Sequence, residues 1–212
     1  VRSYGRRQHA DPVPVDIVRE AQNALRSLKA ELRPFVVIRP PFSLSADDAS
    51  KRRLIMRGDP LEIELLLLNV MKNAAEAVQG LPDGGVLVKF RRETLPSPLA
   101  ENPSPSPAAP SAEAVIVEVE DNGPRLSDEA FERLTRVSQS VKDEGLGLGL
   151  GIVRSLVEEN GGRIAITRRE DLSGRGLRVT LCFDLDAEGL KAQSAPETDP
   201  ADKSAAQGSP NV

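Results

Sequence analysis

The stretch GLGLGLGIV, residues 145–153, alternates glycine with leucine, and it is the part of the sequence that decides the fold. Glycine has no Cβ, so alternate glycines let a backbone pass close to a ligand and adopt positive φ. The residues that follow, Ile152 to Asn160, are predicted to form a helix, and the first N–H groups of a helix attract phosphate. The stretch therefore predicts a phosphate-binding loop that leads into a helix.

The spacing of these glycines excludes two familiar phosphate loops. No lysine and hydroxyl residue follow a GxxxxG, and the third glycine of a GxGxxG would fall on Leu150. Flexible turns and helix-packing positions use glycine as well, so this stretch alone does not decide between a ligand loop and a structural one.

A long central helix is predicted before the glycine stretch. The residues Asp59-Pro60-Leu61-Glu62 supply an N-cap, a proline at the first helical position and a capping-box partner. The helix runs from Leu61 to Val78, stops at Gly80 and is apolar on nearly every face, which predicts a buried helix. Its polar groups include Asn69 and Asn73.

Asn69 and Asn73 are four residues apart, so both amides lie on one face of that helix. An asparagine carbonyl oxygen is a hard, neutral ligand that suits Mg²⁺, whose other ligands are waters and substrate phosphates. Alternatively, the two amides bond to neighbouring loops, because buried polar groups must find partners.

The residues Asp121-Asn122-Gly123 follow a predicted strand, Ala114 to Glu120. A carboxylate at the end of a strand can accept a hydrogen bond from an exocyclic amine such as that of adenine, with Gly123 leaving room for the base. The same residues favour a turn, and both interpretations can hold together.

The other elements predict an α/β chain. An amphipathic helix begins near Val15 and ends before Pro34, and a short helix begins at Ser127. The last two strands are expected to form a hairpin around Ser173-Gly174. Further strands are predicted at Phe35–Ile38, Arg53–Arg57, Val86–Arg92, Arg163–Arg169 and Leu177–Asp184.

Composition divides the chain into an ordered part and its flanks. The predicted domain covers residues 13–186, with a linker at 1–12, a Pro-rich disordered insertion at 94–112, a mobile lid at 124–147 and a disordered tail at 187–212. The chain begins with Val1 rather than methionine, so we expect an excised piece of a longer protein.

The net charge of −4 gives no electrostatic footprint for nucleic acid, and the pair Arg168-Arg169 is interpreted as a solvated strand end. The single cysteine, Cys182, cannot form an internal disulfide, which fits a reducing, cytoplasmic setting. No apolar run approaches the roughly twenty residues that span a bilayer, so no membrane segment is expected.

Three segments taken together resemble a known family. Asn69 to Ala74, Asp121 to Gly123 and Gly145 to Gly151 resemble, in the correct order, the N, G1 and G2 boxes of the catalytic ATP-binding domain of sensor histidine kinases. The wider superfamily includes gyrase and MutL. The resemblance spans Val13 to Asp184 and implies a two-layer α/β sandwich of the GHKL type, with a mixed sheet covered on one face by three helices.

The resemblance also implies roles for individual residues. Asn73 is expected to bind Mg²⁺, and Asp121, with Gly123, to bind the adenine of ATP. Lys142 lies in a segment that resembles the lid whose lysine approaches the terminal phosphate. The glycine stretch is expected to wrap the phosphates through Gly145, Leu146, Gly147, Leu148 and Gly149.

Two positions depart from the family pattern. Arg125 stands where the G1 box usually has a second glycine, and the aromatic box is represented by Phe131 alone. In the ATPase branches of the superfamily a glutamate stands four residues before the metal-binding asparagine, and here that position is Asn69. An amide cannot act as a base, so the sequence favours phosphoryl transfer over hydrolysis.

A histidine is the expected phosphate acceptor. His9 is followed by Ala10 and Asp11, which does not match the family's acceptor pattern, so the acceptor is expected on a dimerisation domain before Val1 or on a partner chain. A response regulator would act downstream. Two alternatives stay open: a nucleotide-binding regulatory module without phosphotransfer, motivated by Arg125, and a serine kinase like the anti-sigma factors.

Overall fold

The computed structural model describes residues 11–39, 53–95, 112–137, 148–172 and 175–189. In chain order, the elements are β1 (Val13–Asp16), α1 (Ile17–Ser27), β2 (Val36–Arg39), β3 (Ile55–Gly58), α2 (Pro60–Val78), β4 (Val86–Leu95), β5 (Ala112–Asp121), α3 (Asp128–Val137), α4 (Leu148–Glu159), β6 (Arg163–Arg168) and β7 (Leu177–Asp184).

The main sheet has five strands in the order β2-β4-β5-β7-β6. The β2–β4 pair is parallel and the other pairs are antiparallel, so the sheet is mixed. Alternate residues of each strand face one side, and there Val88, Val117 and Leu181 join the buried core with residues of α1, α2 and α4. The predicted two-layer α/β sandwich is confirmed.

Helix α2 crosses the centre of the core. The Asp59 carboxylate caps its start by accepting the N–H groups of Leu61 at 2.9 Å and Glu62 at 3.4 Å. The helix ends before Gly80, whose φ of 84° suits glycine. The sequence predicted a buried helix, but one part of its surface faces solvent, because Leu61 is 75% and Leu65 45% exposed.

The beginning of the domain differs from the prediction. Val15 belongs to β1, and α1 begins only at Ile17, because the Asp16 side chain accepts the N–H of Val18 and caps the helix there. Strands β1 and β3 pair antiparallel as a separate two-stranded sheet. The backbone N–H of Ile17 bonds to the carbonyl of Leu54, which joins this sheet to the helix layer.

Helix α4 begins at Leu148, four residues earlier than the prediction of Ile152. Gly149 and Gly151 are therefore helical rather than part of an open loop. Gly145, Leu146, Gly147 and Lys142 lie outside the described residues. At the other end Gly161 has a φ of 69°, and the predicted helix end at Asn160-Gly161 is confirmed.

The predicted hairpin of β6 and β7 is confirmed, with Ser173 and Gly174 outside the described residues. The Pro-rich insertion is shorter at both ends than predicted, because Leu95 pairs with Ala112 at the end of the β4–β5 ladder. Residues 187–189, assigned to the tail, are helical. His9, the rest of the insertion, the second half of the lid and the rest of the tail lie outside the described residues.

Within the described ranges, no helix has both the length and the apolar character needed to cross a bilayer.

Candidate nucleotide site

A cavity of about 270 Å³ lies between α2, the end of β5, strands β6 and β7, and helices α3 and α4. It brings Asn73 and Asp121 to one place, although they are far apart in the sequence. Its walls are otherwise apolar, which suits a flat aromatic ligand. They are formed by Val70, Ala74, Ala77, Pro124, Leu126, Leu134, Leu150, Ile166, Leu177 and Val179.

Asp121 ends β5, and its side chain points to the helix-covered face. It is 6% exposed, and its Oδ1 accepts the backbone N–H groups of Gly123 at 2.8 Å and Leu177 at 3.3 Å. Burial raises the pKa of this carboxyl above its usual range, although those two bonds and the charge of Arg169 oppose the shift. The carboxylate is therefore a fixed, partly desolvated acceptor on the cavity wall.

Gly123 supports Asp121 and does not itself line the cavity. A Cβ on Gly123 would lie 2.8 Å from Asp121 Oδ1 and 3.3 Å from the carbonyl oxygen of Ala77 in α2. A side chain at position 123 would therefore displace the Asp121 carboxylate and crowd α2.

Asn122 ties the same loop to the connection between α2 and β4. Its Oδ1 accepts the N–H of Gly85 at 2.8 Å, and its Nδ2 donates to the carbonyl of Asp83 at 2.6 Å. The turn interpretation and the ligand interpretation of residues 121–123 are therefore compatible, since Asn122 holds the turn while Asp121 faces the cavity.

The two asparagines of α2 have different surroundings. Asn73 is half-buried and lines the cavity. Asn69 lies one turn earlier, outside the cavity lining, and its Nδ2 donates to the carbonyl of Leu65 at 2.8 Å. This bond uses the amide nitrogen of Asn69, and the carbonyl oxygen of the amide is an acceptor that could bond to other groups.

The pair Arg168-Arg169 is not the solvated strand end that the sequence suggested. The two side chains are 24% and 15% exposed. Arg169 donates from Nη1 to the carbonyl of Asp121 at 3.2 Å and pairs with Asp171. Arg168 bonds to the start of α3. A local sequence pattern cannot show that a strand end meets two loops distant in sequence.

Gly176 was also missed. Its φ is 71°, and a Cβ there would lie 2.1 Å from the carbonyl oxygen of Asp121. The neighbouring Arg175 donates to the carbonyl of Asn122 at 3.2 Å. The start of β7 is therefore in close contact with the loop that carries Asp121. In the sequence, the only signal of this contact was a single glycine after the predicted turn.

Glu120 lies next to Asp121 on the opposite face of the sheet and is 3% exposed. Its Oε1 accepts from Lys89 Nζ at 2.6 Å and from Arg178 Nε at 2.7 Å. Burial alone would raise the pKa of Glu120, but the bonds and charges of these two cations outweigh it and hold the pKa below its usual value. The end of β5 is therefore fixed on both faces.

A larger cavity of about 690 Å³ lies at the other end of α2. It is lined by several acidic side chains, among them Asp59, Glu62 and Asp186, and by none of the residues predicted to bind ATP. An anionic nucleotide would be repelled there, so the smaller cavity is the nucleotide candidate.

The sequence matches known proteins over most of the described domain. Residues 58–187 match the family described as histidine kinase-, DNA gyrase B-, and HSP90-like ATPase. Nitrogen regulation protein NtrY of Azorhizobium caulinodans is 30% identical over 142 residues, which are 65% of this chain and 16% of that protein. The sensory histidine kinase/phosphatase NtrB of Klebsiella oxytoca is 33% identical over 109 residues, 51% of this chain and 29% of that protein.

Solved structures share the fold. The mycobacterial sensor histidine kinase MprB has a TM-score of 0.58 at 18% identity, over 82% of this chain and 97% of that one. The catalytic domain of histidine kinase ThkA has a TM-score of 0.57 at 18% identity, over 83% of this chain and 98% of that one. The chain thus spans less than a third of the length of these curated relatives but nearly all of these two structures. By its matched sequence and its fold, this chain belongs to the histidine kinase-, DNA gyrase B- and HSP90-like ATPase family.

Proposed function

We propose that this domain binds Mg·ATP and transfers the γ-phosphate to a histidine on a dimerisation domain outside this chain. The observation that carries the proposal is the pairing of Asn73 and Asp121 in one apolar cavity, with Asn69 one turn before Asn73 on α2. The amide of Asn69 cannot deprotonate water, whereas a neutral imidazole brings its own lone pair to the phosphorus. Catalysis then rests on positioning and charge neutralisation.

Adenine fits the cavity by its chemistry. The apolar walls take the flat faces of the base, and the Asp121 carboxylate accepts a hydrogen bond from the exocyclic amine. The cavity volume of about 270 Å³ is at the small end for ligand sites, so it holds the base while ribose and phosphates extend outside it.

Magnesium would be held by Asn73 together with phosphate oxygens and waters. Within the described ranges, no group of three or more His, Cys, Asp or Glu side chains is placed to hold a metal ion. This donor set fits Mg²⁺, which keeps several waters and takes few protein ligands at nucleotide sites. When bound, the ion neutralises charge on the phosphates.

The phosphates would meet the start of α4. Leu148 and Gly149 form its first turn, where backbone N–H groups have no partner within the helix. Gly145, Leu146, Gly147 and Lys142 stay predictions for the same role. Leu150 contributes to the base cavity, so this helix joins the base site to the phosphate site.

The phosphate acceptor and the response regulator are proposed partners, because the relatives include a sensory histidine kinase/phosphatase, and this chain matches less than a third of the length of that protein and of NtrY. A regulatory module that binds nucleotide without transferring phosphate is the second candidate. Arg125 supports it, because this exposed residue replaces a glycine between Asp121 and α3.

Calorimetric titration with a non-hydrolysable ATP analogue and Mg²⁺ tests the binding step. We expect Asp121→Asn to abolish measurable binding and Asn73→Ala to weaken it and reduce its dependence on Mg²⁺. Gln22→Ala, an exposed change on α1, is the matched control and should bind like the unaltered chain. Equal binding by Asp121→Asn would overturn the assignment of this cavity.

Phosphotransfer is tested with radiolabelled ATP and a supplied dimerisation domain from a relative. Acid-labile label on the supplied domain supports the histidine kinase. Acid-stable label indicates transfer to serine, and saturable binding without any label favours the regulatory module.

A further inference from the structure

We propose that Arg168 is a positioning residue for nucleotide binding, which holds the start of α3 against β6 and thereby sets one wall of the base cavity. The inference rests on the proposed function of the cavity. Arg168 itself is absent from the cavity lining and acts through its neighbours.

The guanidinium of Arg168 makes four contacts with the segment that enters α3. Nη2 donates to the carbonyls of Leu126 at 3.3 Å and Ser127 at 3.1 Å, and Nη1 pairs with Asp128 Oδ1 at 2.8 Å. The Cζ atom lies 4.4 Å from the centre of the Phe131 ring. One side chain therefore bonds to two carbonyls, one carboxylate and one aromatic face.

These contacts lie directly behind the cavity. Leu126 and Leu134 line it from the segment that Arg168 holds, and Ile166 lines it from the strand that carries Arg168. Any displacement of α3 from β6 therefore widens the space available to the base. The fork of an arginine suits this task, since its donors have a fixed planar geometry.

Helix α3 has little burial of its own to hold it in place. None of its side chains from residue 128 to 135 is fully buried, and its cap is local, through Ser127 Oγ and the N–H of Ala130 at 3.2 Å. A helix with few buried apolar groups opens at low cost, so an external tie has a large effect on its position.

The ion pair with Asp128 is the weakest part of the contact. The Asp128 side chain is 80% exposed, and exposed ion pairs contribute little. The two carbonyl bonds and the contact with Phe131 are expected to dominate. A lysine at position 168 could keep the ion pair, but its single nitrogen lacks the planar fork that bonds to the carbonyls through Nη2 and to the carboxylate through Nη1.

The test compares the unaltered 212-residue chain with Arg168→Ala, Arg168→Lys and the control Arg163→Ala. Arg163 lies on the same strand and contacts Cys182 Sγ at 3.8 Å, away from α3. We expect Arg168→Ala to weaken binding of the Mg·ATP analogue by about tenfold, the loss of one or two charge-assisted bonds. The affinity of Arg168→Lys should lie between those of Arg168→Ala and the unaltered chain, and Arg163→Ala should bind the analogue as the unaltered chain does.

Amide hydrogen exchange without nucleotide gives the second measurement. In Arg168→Ala, exchange at residues 132–135 should accelerate about tenfold, with exchange in α2 and β5 unchanged. Unchanged exchange in α3, equal acceleration in α2, or nucleotide binding at full affinity by Arg168→Ala would each overturn the inference. If the unaltered chain binds no nucleotide, the proposed function fails, and exchange alone then decides whether Arg168 holds α3.

Discussion

The side chain of Asn160 lies between the Glu62 carboxylate and the backbone N–H of Asp59, the group that Glu62 was expected to cap. Its Oδ1 accepts the N–H of Asp59 at 2.9 Å, and its Nδ2 donates to Glu62 Oε2 at 2.9 Å. The predicted capping box at the start of α2 is therefore relayed through the residue that ends α4. Gly58 permits this approach, since a Cβ there would lie 2.5 Å from Asn160 Oδ1.

Replacing Asn160 by alanine should destabilise the domain by about 1–3 kcal/mol, because the N–H of Asp59 and a carboxylate oxygen of Glu62 both lose a half-buried partner. Urea unfolding followed by circular dichroism measures the change, with Gln22→Ala as the control. Asn160→Asp should also destabilise, since it restores the acceptor for Asp59 but sets a negative charge against Glu62. A free energy of unfolding equal to that of the control in both variants would contradict the relay.

Replacing either of two glycines with the same backbone conformation by alanine should destabilise the domain by different amounts. Gly176 and Gly161 have φ of 71° and 69°, but a Cβ on Gly176 would lie 2.1 Å from the Asp121 carbonyl oxygen, while one on Gly161 meets nothing within 4 Å. We expect Gly161→Ala to cost about 1 kcal/mol from conformation alone. Gly176→Ala should cost about 3 kcal/mol or more and impair binding of the ATP analogue, because the loop carrying Asp121 must move. Equal thermal shifts in the two variants would show that the loop yields freely.

Asp121→Asn should separate stability from binding. The amide oxygen can still accept the N–H groups of Gly123 and Leu177, which turns the amide nitrogen, a donor, toward the amine of adenine. We expect measurable nucleotide binding to be lost, while the free energy of unfolding at pH 7 stays equal or rises.

The pH dependence of that stability difference has a definite sign. Burial raises the pKa of Asp121 in the folded state, so folding favours the protonated form. The stability tied to this proton is present at low pH and is lost as the pH rises through the raised value. Urea titrations of both proteins from pH 4 to 7 should show the asparagine variant gaining relative stability as the pH rises.

Glu120→Gln should show the opposite pH dependence, and lose stability relative to the unaltered protein as the pH rises. The Lys89 and Arg178 contacts hold the pKa of Glu120 down, so its stabilisation is present above the unfolded pKa and is lost as the pH falls through the folded one. We expect a loss of about 1–2 kcal/mol at pH 7, because both cations are about one third exposed and regain water. Glu118→Gln, whose contacts to Lys89 and Arg91 are 3.9 and 3.4 Å, should cost less. A constant difference from pH 7 to below pH 4 would argue against the charge network as the cause.

Local chemistry made much of this fold predictable. Asp59 before Pro60 marks the start of α2, and Gly80 and Gly161 end the two central helices because they adopt positive φ. Asn73 and Asp121 were also found from the sequence, since Asn73 is one of the polar groups of the largely apolar helix α2 and Asp121 follows a predicted strand and begins the Asp-Asn-Gly turn. Their meeting in one cavity agrees with the roles that the resemblance implies for the N and G1 boxes, and ligand binding itself stays a prediction.

Contacts between distant segments could not be predicted in the same way. Because β1 pairs with β3, α1 begins later than the apolar periodicity suggests, and Val15 contributes to a strand instead of to the helix. Arg168, Arg169 and Gly176 have ordinary surroundings in sequence and become important only where β6 and β7 meet the loop after β5. The helical state of Gly149 likewise depends on the packing of α4 on α2 and overrides the local preference of glycine.

The long β4–β5 ladder has a consequence for how this protein can vary and be engineered. Its paired residues run from Val86 opposite Asp121 to Leu95 opposite Ala112, which places the two ends about 30 Å apart. Chain length added or removed between residues 95 and 112 therefore changes the molecule at the end of the sheet remote from the nucleotide cavity. That connection is a suitable place for an affinity tag or a reporter domain, and lineages of related proteins are free to lengthen it without altering the base site.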